Sequence, residues 1–372
     1  MAEQTDDTTA NLGERFQAAL KSADAVVSWR REPPAEHLAR LAAHAEETDL
    51  GWDGYGERGA VAALEEQVAE LLGKPAAVLL PSGVMAQQSV LRVHCDRAGS
   101  TRVALPDLSH LLHHEADGPR LVHGLRLEWL TTGRETPTAG HLADVPGHLG
   151  AVLVELPLRD AGCLLPPWDD LAALSAAARE RGVALHLDGA RLWESQPSYD
   201  RPLAEIAGLF DSVYVSLYKG LGAMAGAVVA TDDDTAAELR LWRTRMGGTL
   251  MRLTPYALGG LLGLRDELPR MGEYLAWARQ LAAALAGKGI TVEPEVPHVN
   301  TYFIHAPHPA DEVNERLLAV AERESVVLTG PFRPADVPGH SVTEVALYGA
   351  AVEHDVDVVA EWFATVIDGA VD

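Results

Sequence analysis

Cysteine is nearly absent from this chain. Its 372 residues hold two, Cys95 and Cys163, too few for a disulfide framework and in keeping with a reduced, cytoplasmic setting. Basic residues are scarce as well. Thirty lysines and arginines stand against 54 aspartates and glutamates, a formal net charge of −24. Such a field repels phosphate backbones and anionic lipid surfaces, which argues against nucleic-acid and membrane partners. Long uncharged apolar runs are also missing, and no window approaches the roughly 18 residues of a membrane-spanning helix. The opening segment MAEQTDDTTANLGERF lacks the basic start and apolar stretch of a signal peptide. There is no internal repeat and no low-complexity tract.

What remains is ordinary for a soluble globular protein. Apolar residues make up 47% and charged ones 23%, and the length suits two or three domains. Residues 1–49 read as a solvated tail to about 12, then a helical segment broken at Pro33-Pro34. GWDGYGERGA reads as an ordered loop. From there to residue 255, helices alternate with short apolar strands. VAALEEQVAELLG is an amphipathic helix stopped by Gly73, and DDLAALSAAARERG is one capped by Asp169 or Asp170 and stopped by Gly182. AAVLLPSG, GAVLVELP, VALHLDGAR, DSVYVSLYKG and AGAVVA are strands. This rhythm predicts an α/β domain with a mostly parallel sheet sandwiched by helices. Residues 256–372, with helices followed by TVEPE and NTYFIHA, predict a smaller α+β domain.

Ligands of open parallel sheets gather beyond the carboxyl ends of strands, and several strand ends here carry unusual residues. Ser82-Gly83-Val84 joins a strand to a helix N-terminus, either an anion site or an ordinary turn. Asp188 ends the apolar strand VALHL, where a carboxylate needs a partner: a metal, an arginine such as Arg191, or a protonated ring nitrogen. Lys219 follows VYVSLY and either reaches the surface or serves as a desolvated amine able to form a Schiff base. His110, with His113, His114 and Glu115, fits no diagnostic metal spacing; one histidine stacking on a cofactor ring is the alternative. Asp232–Asp234 reads as a solvated turn rather than a metal site. GLGAMAG at 220–226 mimics a dinucleotide loop but leads into a strand. An anion cradle, a strand-end aspartate and a strand-end lysine are together the three grips that pyridoxal phosphate requires.

At these residues the chain resembles the threonine aldolase and β-eliminating lyase family of fold type I pyridoxal phosphate enzymes. The motifs are GYGERGAVAALEEQVAELLGKPAAVLLPSGVMAQQ, HLLHHEADG, LHLDGARLWES, SVYVSLYKGLGAMAGAVVA and GGTLMR, in the family's order over roughly residues 50–255. The resemblance implies a seven-stranded sheet and makes Lys219 the Schiff-base lysine and Asp188 the partner of the pyridine nitrogen. His110 would stack on the ring, and Ser82, Gly83 and Val84 would hold the phosphate. Arg191 would reach the cofactor's 3-oxygen and the substrate carboxylate, with Tyr55 and His114 also at the substrate. Arg252 would contact a phosphate, including that of a neighbouring subunit, which implies a homodimer or homotetramer.

The implied reaction cleaves a β-hydroxy-α-amino acid to glycine and an aldehyde, with His110, His114 or a water as base. β-Elimination, decarboxylation or racemisation of an unusual amino acid is the alternative. A third reading is a non-catalytic homologue that binds a partner. The chain departs from the family where the substrate carboxylate is held. SWRREPP at 28–34 stands in for an arginine-serine-aspartate run. SVTEVALYGAA, with Thr343 and Glu344, lacks the C-terminal arginine, for which Arg333 is a candidate substitute. Val84 replaces the usual threonine, and ELPLRDAGCLLP at 155–166 replaces an asparagine-bearing loop.

Overall fold

Five apolar strands form the centre of the structure, a computed structural model that describes residues 4–30 and 32–369. The first three residues of the expected tail, and Arg31 of SWRREPP, lie outside the described residues. Two compact units result: residues 33–271, and residues 1–32 with 272–372. The expected boundaries at 49 and 255 shift because the Thr254–Asp266 helix packs on the Pro34–Thr48 and Gly59–Leu72 helices of the larger unit.

The larger unit holds the sheet. Its strands are β1 (Ala76–Leu80), β2 (Arg102–Leu105), β3 (Arg126–Trp129), β4 (Ala151–Glu155), β5 (Ala184–Gly189), β6 (Ser212–Ser216) and β7 (Ala227–Thr231). They lie in the order β1-β7-β6-β5-β4-β2-β3. Only β7 runs against its neighbours; the other pairings are parallel. The central strands are buried almost throughout, which is why AVLVE and SVYVS read as continuous apolar runs rather than alternating ones. The seven-stranded, mostly parallel α/β sheet is the one expected. Because six strands run the same way, their carboxyl ends bring Ser82, Glu155, Asp188 and Lys219 to one edge of the sheet.

The glycine stops hold: Gly73 and Gly182 both close their helices with positive φ, at 61° and 67°. The cap does not. Pro167 sits at the N-cap of Trp168–Arg181, and Asp169 and Asp170 fall in the first turn, where they complement the helix dipole instead of capping. Asp232 is not in a solvated turn. It caps the Asp233–Arg245 helix, its Oδ1 accepting the Thr235 N–H at 2.8 Å.

The smaller unit has a four-stranded antiparallel sheet, in the order Arg333–Pro334, Ser341–Ala346, Thr301–Ala306, Thr291–Glu293. Helices Ala310–Glu324 and Val356–Asp368 pack around Tyr302, Leu317 and Phe363. Helix Gln4–Ser22 replaces most of the expected tail, because Leu12, Phe16, Ala19 and Leu20 share one face and join that core. Arg333 is exposed on the edge strand. Among the described residues no helix is long and apolar enough to cross a membrane.

Trp193 anchors the site edge. It is fully buried, and its Nε1–H donates to Ser216 O at 3.0 Å, at the end of β6. Replacing it with alanine should cost about 3–5 kcal/mol. A lower urea midpoint for Trp193→Ala, with an unchanged slope, is the expected measurement.

Candidate active site

The Gly83–Ala98 helix begins at the end of β1 and sets the first wall. Ser82 caps it, accepting the Met85 N–H on Oγ at 3.2 Å, while Ser82 O takes the Ala86 N–H. The N–H groups of Gly83 and Val84 therefore remain at the positive end of a 16-residue helix. Position 83 must be glycine, since a Cβ there would lie 2.3 Å from the Tyr214 hydroxyl oxygen. This first turn opens on a cavity of about 340 Å³ whose lining includes Ser82, Gly83, Val84, Gln87, His110, Glu155, Arg159, Asp188, Arg191 and Lys219.

The far wall is made of strand ends. Glu155 and Asp188 are register partners on β4 and β5, so two buried carboxyl groups stand side by side. Burial pushes Glu155 up to about 7, and the neighbouring Asp188 charge adds to the effect. Its oxygens accept the N–H groups of His110 at 2.9 Å and Arg159 at 3.1 Å. Asp188 is also raised by burial, while the charges of Lys219 and His110 pull it back down. The Ala190 N–H donates to it at 3.0 Å. Lys219 is shifted the other way: burial first, then the Arg191 charge, lower its pKa.

His110 is held from behind. Its Nδ1 lies 3.4 Å from Glu115 Oε1, and this bond raises the His110 pKa against the effect of burial. Glu115 accepts from Gln88 Nε2 at 2.8 Å. The His114 ring is 5.0 Å from that of His110, and its Nε2 pairs with Asp160 at 2.7 Å; His114 is not among the lining residues. No group of histidine, cysteine or carboxylate side chains among the described residues could hold a metal ion.

Tyr55 and Arg252 come together in a second cluster that does not line this cavity. The Tyr55 N–H donates to Met251 O at 3.2 Å, and Arg252 bonds to Asp53 O. Asp53 holds the loop in place. Its Oδ1 accepts from the Leu253 and Thr254 N–H groups at 2.9 Å and from the Thr254 hydroxyl at 2.6 Å. The GWDGYGERGA segment is thus the ordered loop expected. The residues of GGTLMR reach back to the cavity wall through Gly248, where a Cβ would meet Met85 Sδ at 2.4 Å.

The sequence reading passed over Glu155, Gln87 and Arg159. Glu155 carried the same signal as Asp188, an acid at the end of an apolar strand. Gln87 carried only a faint one, a polar residue on a helix face that turned out to be buried.

With the geometry in place, the likeness to known proteins is specific. Residues 35–308 match the beta-eliminating lyase family. The chain belongs to that family. It is 32% identical to a proposed L-allo-threonine aldolase of Listeria monocytogenes, whose solved structure matches with a TM-score of 0.89 over 96% of this chain and 99% of that one. A proposed aromatic amino acid beta-eliminating lyase/threonine aldolase of Exiguobacterium matches at 33% identity and a TM-score of 0.89, over 96% of this chain and all of that one. The low-specificity L-threonine aldolase 1 of Arabidopsis thaliana is 27% identical over 79% of this chain and 84% of its own. This lyase-family membership is the one its motifs pointed to.

Glu155 offers a test of the cavity's electrostatics. Between about pH 4.5, the ordinary value, and about 7, the folded chain holds a proton that the unfolded chain has released. Stability therefore falls as pH rises through that window. In Glu155→Gln this fall should shrink, with the variant gaining on the parent at pH 7.5 relative to pH 5 in urea unfolding. An unchanged difference between the two pH values would contradict a buried, protonated Glu155.

Proposed function

We propose that this chain is a pyridoxal phosphate-dependent aldehyde-lyase cleaving the Cα–Cβ bond of a β-hydroxy-α-amino acid to glycine and an aldehyde. One observation carries the reading: a desolvated lysine, a buried strand-end aspartate and the open N-terminus of a long helix converge on one cavity. The printed activities of the relatives, low-specificity L-threonine aldolases among them, support it.

The residues present fit the cofactor. Gly83 and Val84 offer unspent N–H donors for a phosphate, where the lack of a Cβ at 83 leaves room beside Tyr214. Val84 adds no hydroxyl, so these N–H groups and the helix dipole do the work. When bound, pyridoxal phosphate supplies an electron sink for the pair freed as Cα–Cβ breaks. Asp188 would hold the ring nitrogen's proton, and His110 would lie against the ring. Lys219, whose pKa burial lowers, would supply the amine for the cofactor's aldehyde carbon. Arg191 would hold the cofactor's 3-oxygen and the substrate carboxylate. His114, 5.0 Å from the His110 ring, would meet the substrate at the cavity's edge, and Tyr55, which sits with Arg252 outside this cavity, would reach it from a neighbouring subunit.

A histidine takes the β-hydroxyl proton. His114 gives its Nε2–H to Asp160, which leaves Nδ1 to accept that proton. His110, whose pKa the Glu115 contact raises, serves better as the acid that returns one. A second reading, β-elimination, follows from the missing carboxylate contacts, since SVTEVALYGAA lacks the C-terminal arginine and the substrate would then be an unusual one; pyruvate and ammonia from serine or cysteine analogues would select it.

We read the working form as a homodimer or homotetramer, with Arg252 meeting the phosphate of a neighbouring subunit. Trp52, Tyr55 and Met251 beside it are large, apolar and exposed, a surface suited to burial in such an assembly. The acidic charge and the two buried cysteines support a cytoplasmic enzyme without nucleic-acid or membrane partners.

The test is spectroscopic first. The purified protein should carry a visible band that borohydride removes, with the reduced adduct on Lys219, and Lys219→Ala should lose both. Aldehyde should then be released from L-threonine, L-allo-threonine or β-phenylserine. A protein that stays colourless after addition of pyridoxal phosphate overturns the proposal.

A further inference from the structure

Behind Asp188 runs a line of buried polar side chains that the mechanism above does not use. Gln87 on the Gly83–Ala98 helix accepts on Oε1 from His186 Nε2 at 2.6 Å. His186, on β5, contacts both oxygens of Ser212 through Nδ1, the hydroxyl at 2.8 Å and the carbonyl at 3.2 Å. Ser212, on β6, contacts His94 Nε2 at 2.8 Å, back on the same helix. All four side chains are buried. Each link is short, and together they span the helix and two strands beneath the cavity floor.

The proton positions follow from chemistry. An amide oxygen only accepts, so His186 Nε2 carries the hydrogen. Burial holds the ring neutral, pushed down to about 3, so Nδ1 has a lone pair and the Ser212 hydroxyl donates to it. That leaves the Ser212 oxygen to accept from His94 Nε2–H, on a ring that burial lowers to about 4. Every donor therefore points the same way: His94 to Ser212 to His186 to Gln87. Aligned hydrogen bonds polarise one another.

The chain ends on an unspent group. Gln87 is 1% exposed and lines the cavity, yet its Nε2 has no close hydrogen-bond partner among the described atoms. Turning the amide over would set its oxygen, in place of its NH2, toward the Asp188 carboxylate, which fixes the orientation. Its effect on Asp188 is that of a donor favouring the ionised form. In a buried acid–pyridine pair the proton can rest on either partner. Donors to the carboxylate favour the ionic arrangement, with the proton on nitrogen. Asp188 has the Ala190 N–H, and the unspent Gln87 NH2 lines the same cavity.

We infer that Gln87 is a positioning residue, whose NH2, oriented by the His94–Ser212–His186 chain, donates to Asp188 and keeps the proton on the cofactor's ring nitrogen. This rests on the cofactor reading above. A purely structural role, in which four buried polar groups satisfy one another, would leave that proton where it is.

The experiment uses the full-length protein loaded with pyridoxal phosphate labelled with ¹⁵N in the ring. The parent should show a protonated ring nitrogen. Gln87→Leu should move the ¹⁵N signal well toward the unprotonated position and weaken cofactor binding about tenfold, the effect of losing one hydrogen bond to a charged group. If that variant does not fold, the double variant Gln87→Leu/His186→Phe removes both partners of the buried bond and should shift the signal equally. In the unloaded protein, histidine ¹⁵N spectra should find His186 as the Nε2–H tautomer; the Nδ1–H tautomer overturns the chain. A parent that binds the cofactor, with variants whose ring nitrogen stays protonated, overturns the role of Gln87 and leaves the cofactor reading standing. A parent that binds none removes that reading and the inference with it.

Discussion

Desolvation of charge at the carboxyl edge of the sheet is the constraint on which the rest of this site depends. Lys219, Asp188 and Glu155 are withdrawn from water by the packing that buries their strands, and none is stable there alone. Each is held by the others and by the backbone. Lys219 feels Asp188 and Glu155, and Glu155 takes two backbone N–H groups. The tension remains after this pairing: the acids are pushed up and the lysine is pushed down. Amine and carboxyl pKa values shifted in this sense are what carbonyl and proton-transfer chemistry draws on, so the burial that strains these groups also marks a candidate for reactivity.

The Gly83–Ala98 helix connects the parts of this arrangement. Its N-terminus offers two N–H groups to an anion, and Tyr214 presses against the glycine that opens it. One turn further, successive glutamines support different groups. Gln88 holds Glu115, which in turn holds His110, and Gln87 joins the buried chain beneath Asp188. A shift of this helix would therefore disturb its own open N-terminus, His110 and the surroundings of Asp188 together. The loop bearing Gly248 packs on Met85 in the same first turn, which ties the Arg252 cluster to it as well.

Much of this was legible in the chain. Apolar runs without alternation marked buried parallel strands, and Gly73 and Gly182 marked helix stops with the left-handed φ that glycine favours. Asp188 and Lys219 stood out because charges rarely end such runs. Other features were not legible, for definable reasons. Pro167 took the cap from Asp169 and Asp170 by starting the helix two or three residues earlier, which the composition of the segment does not reveal. The N-terminal helix was hidden by an acidic, polar opening. Its apolar face has a purpose only against a core built from residues near the other end of the chain.

The sequence by itself determined the class of sheet, the strand ends and the residue types that could bear chemistry there, because these rest on local pattern: hydrophobic period, breakers, and a charge beside an apolar run. Only the tertiary structure decided which of those residues share a cavity. Ser82, Gly83, Val84, His110, Asp188, Arg191 and Lys219 meet, while Tyr55 and Arg252 gather elsewhere. It also set Glu155 against Asp188 and joined Gln87 to His94 through residues far apart in the chain. Register and burial are collective properties of packed strands, and the protonation of a buried group follows from its neighbours, which no single segment specifies.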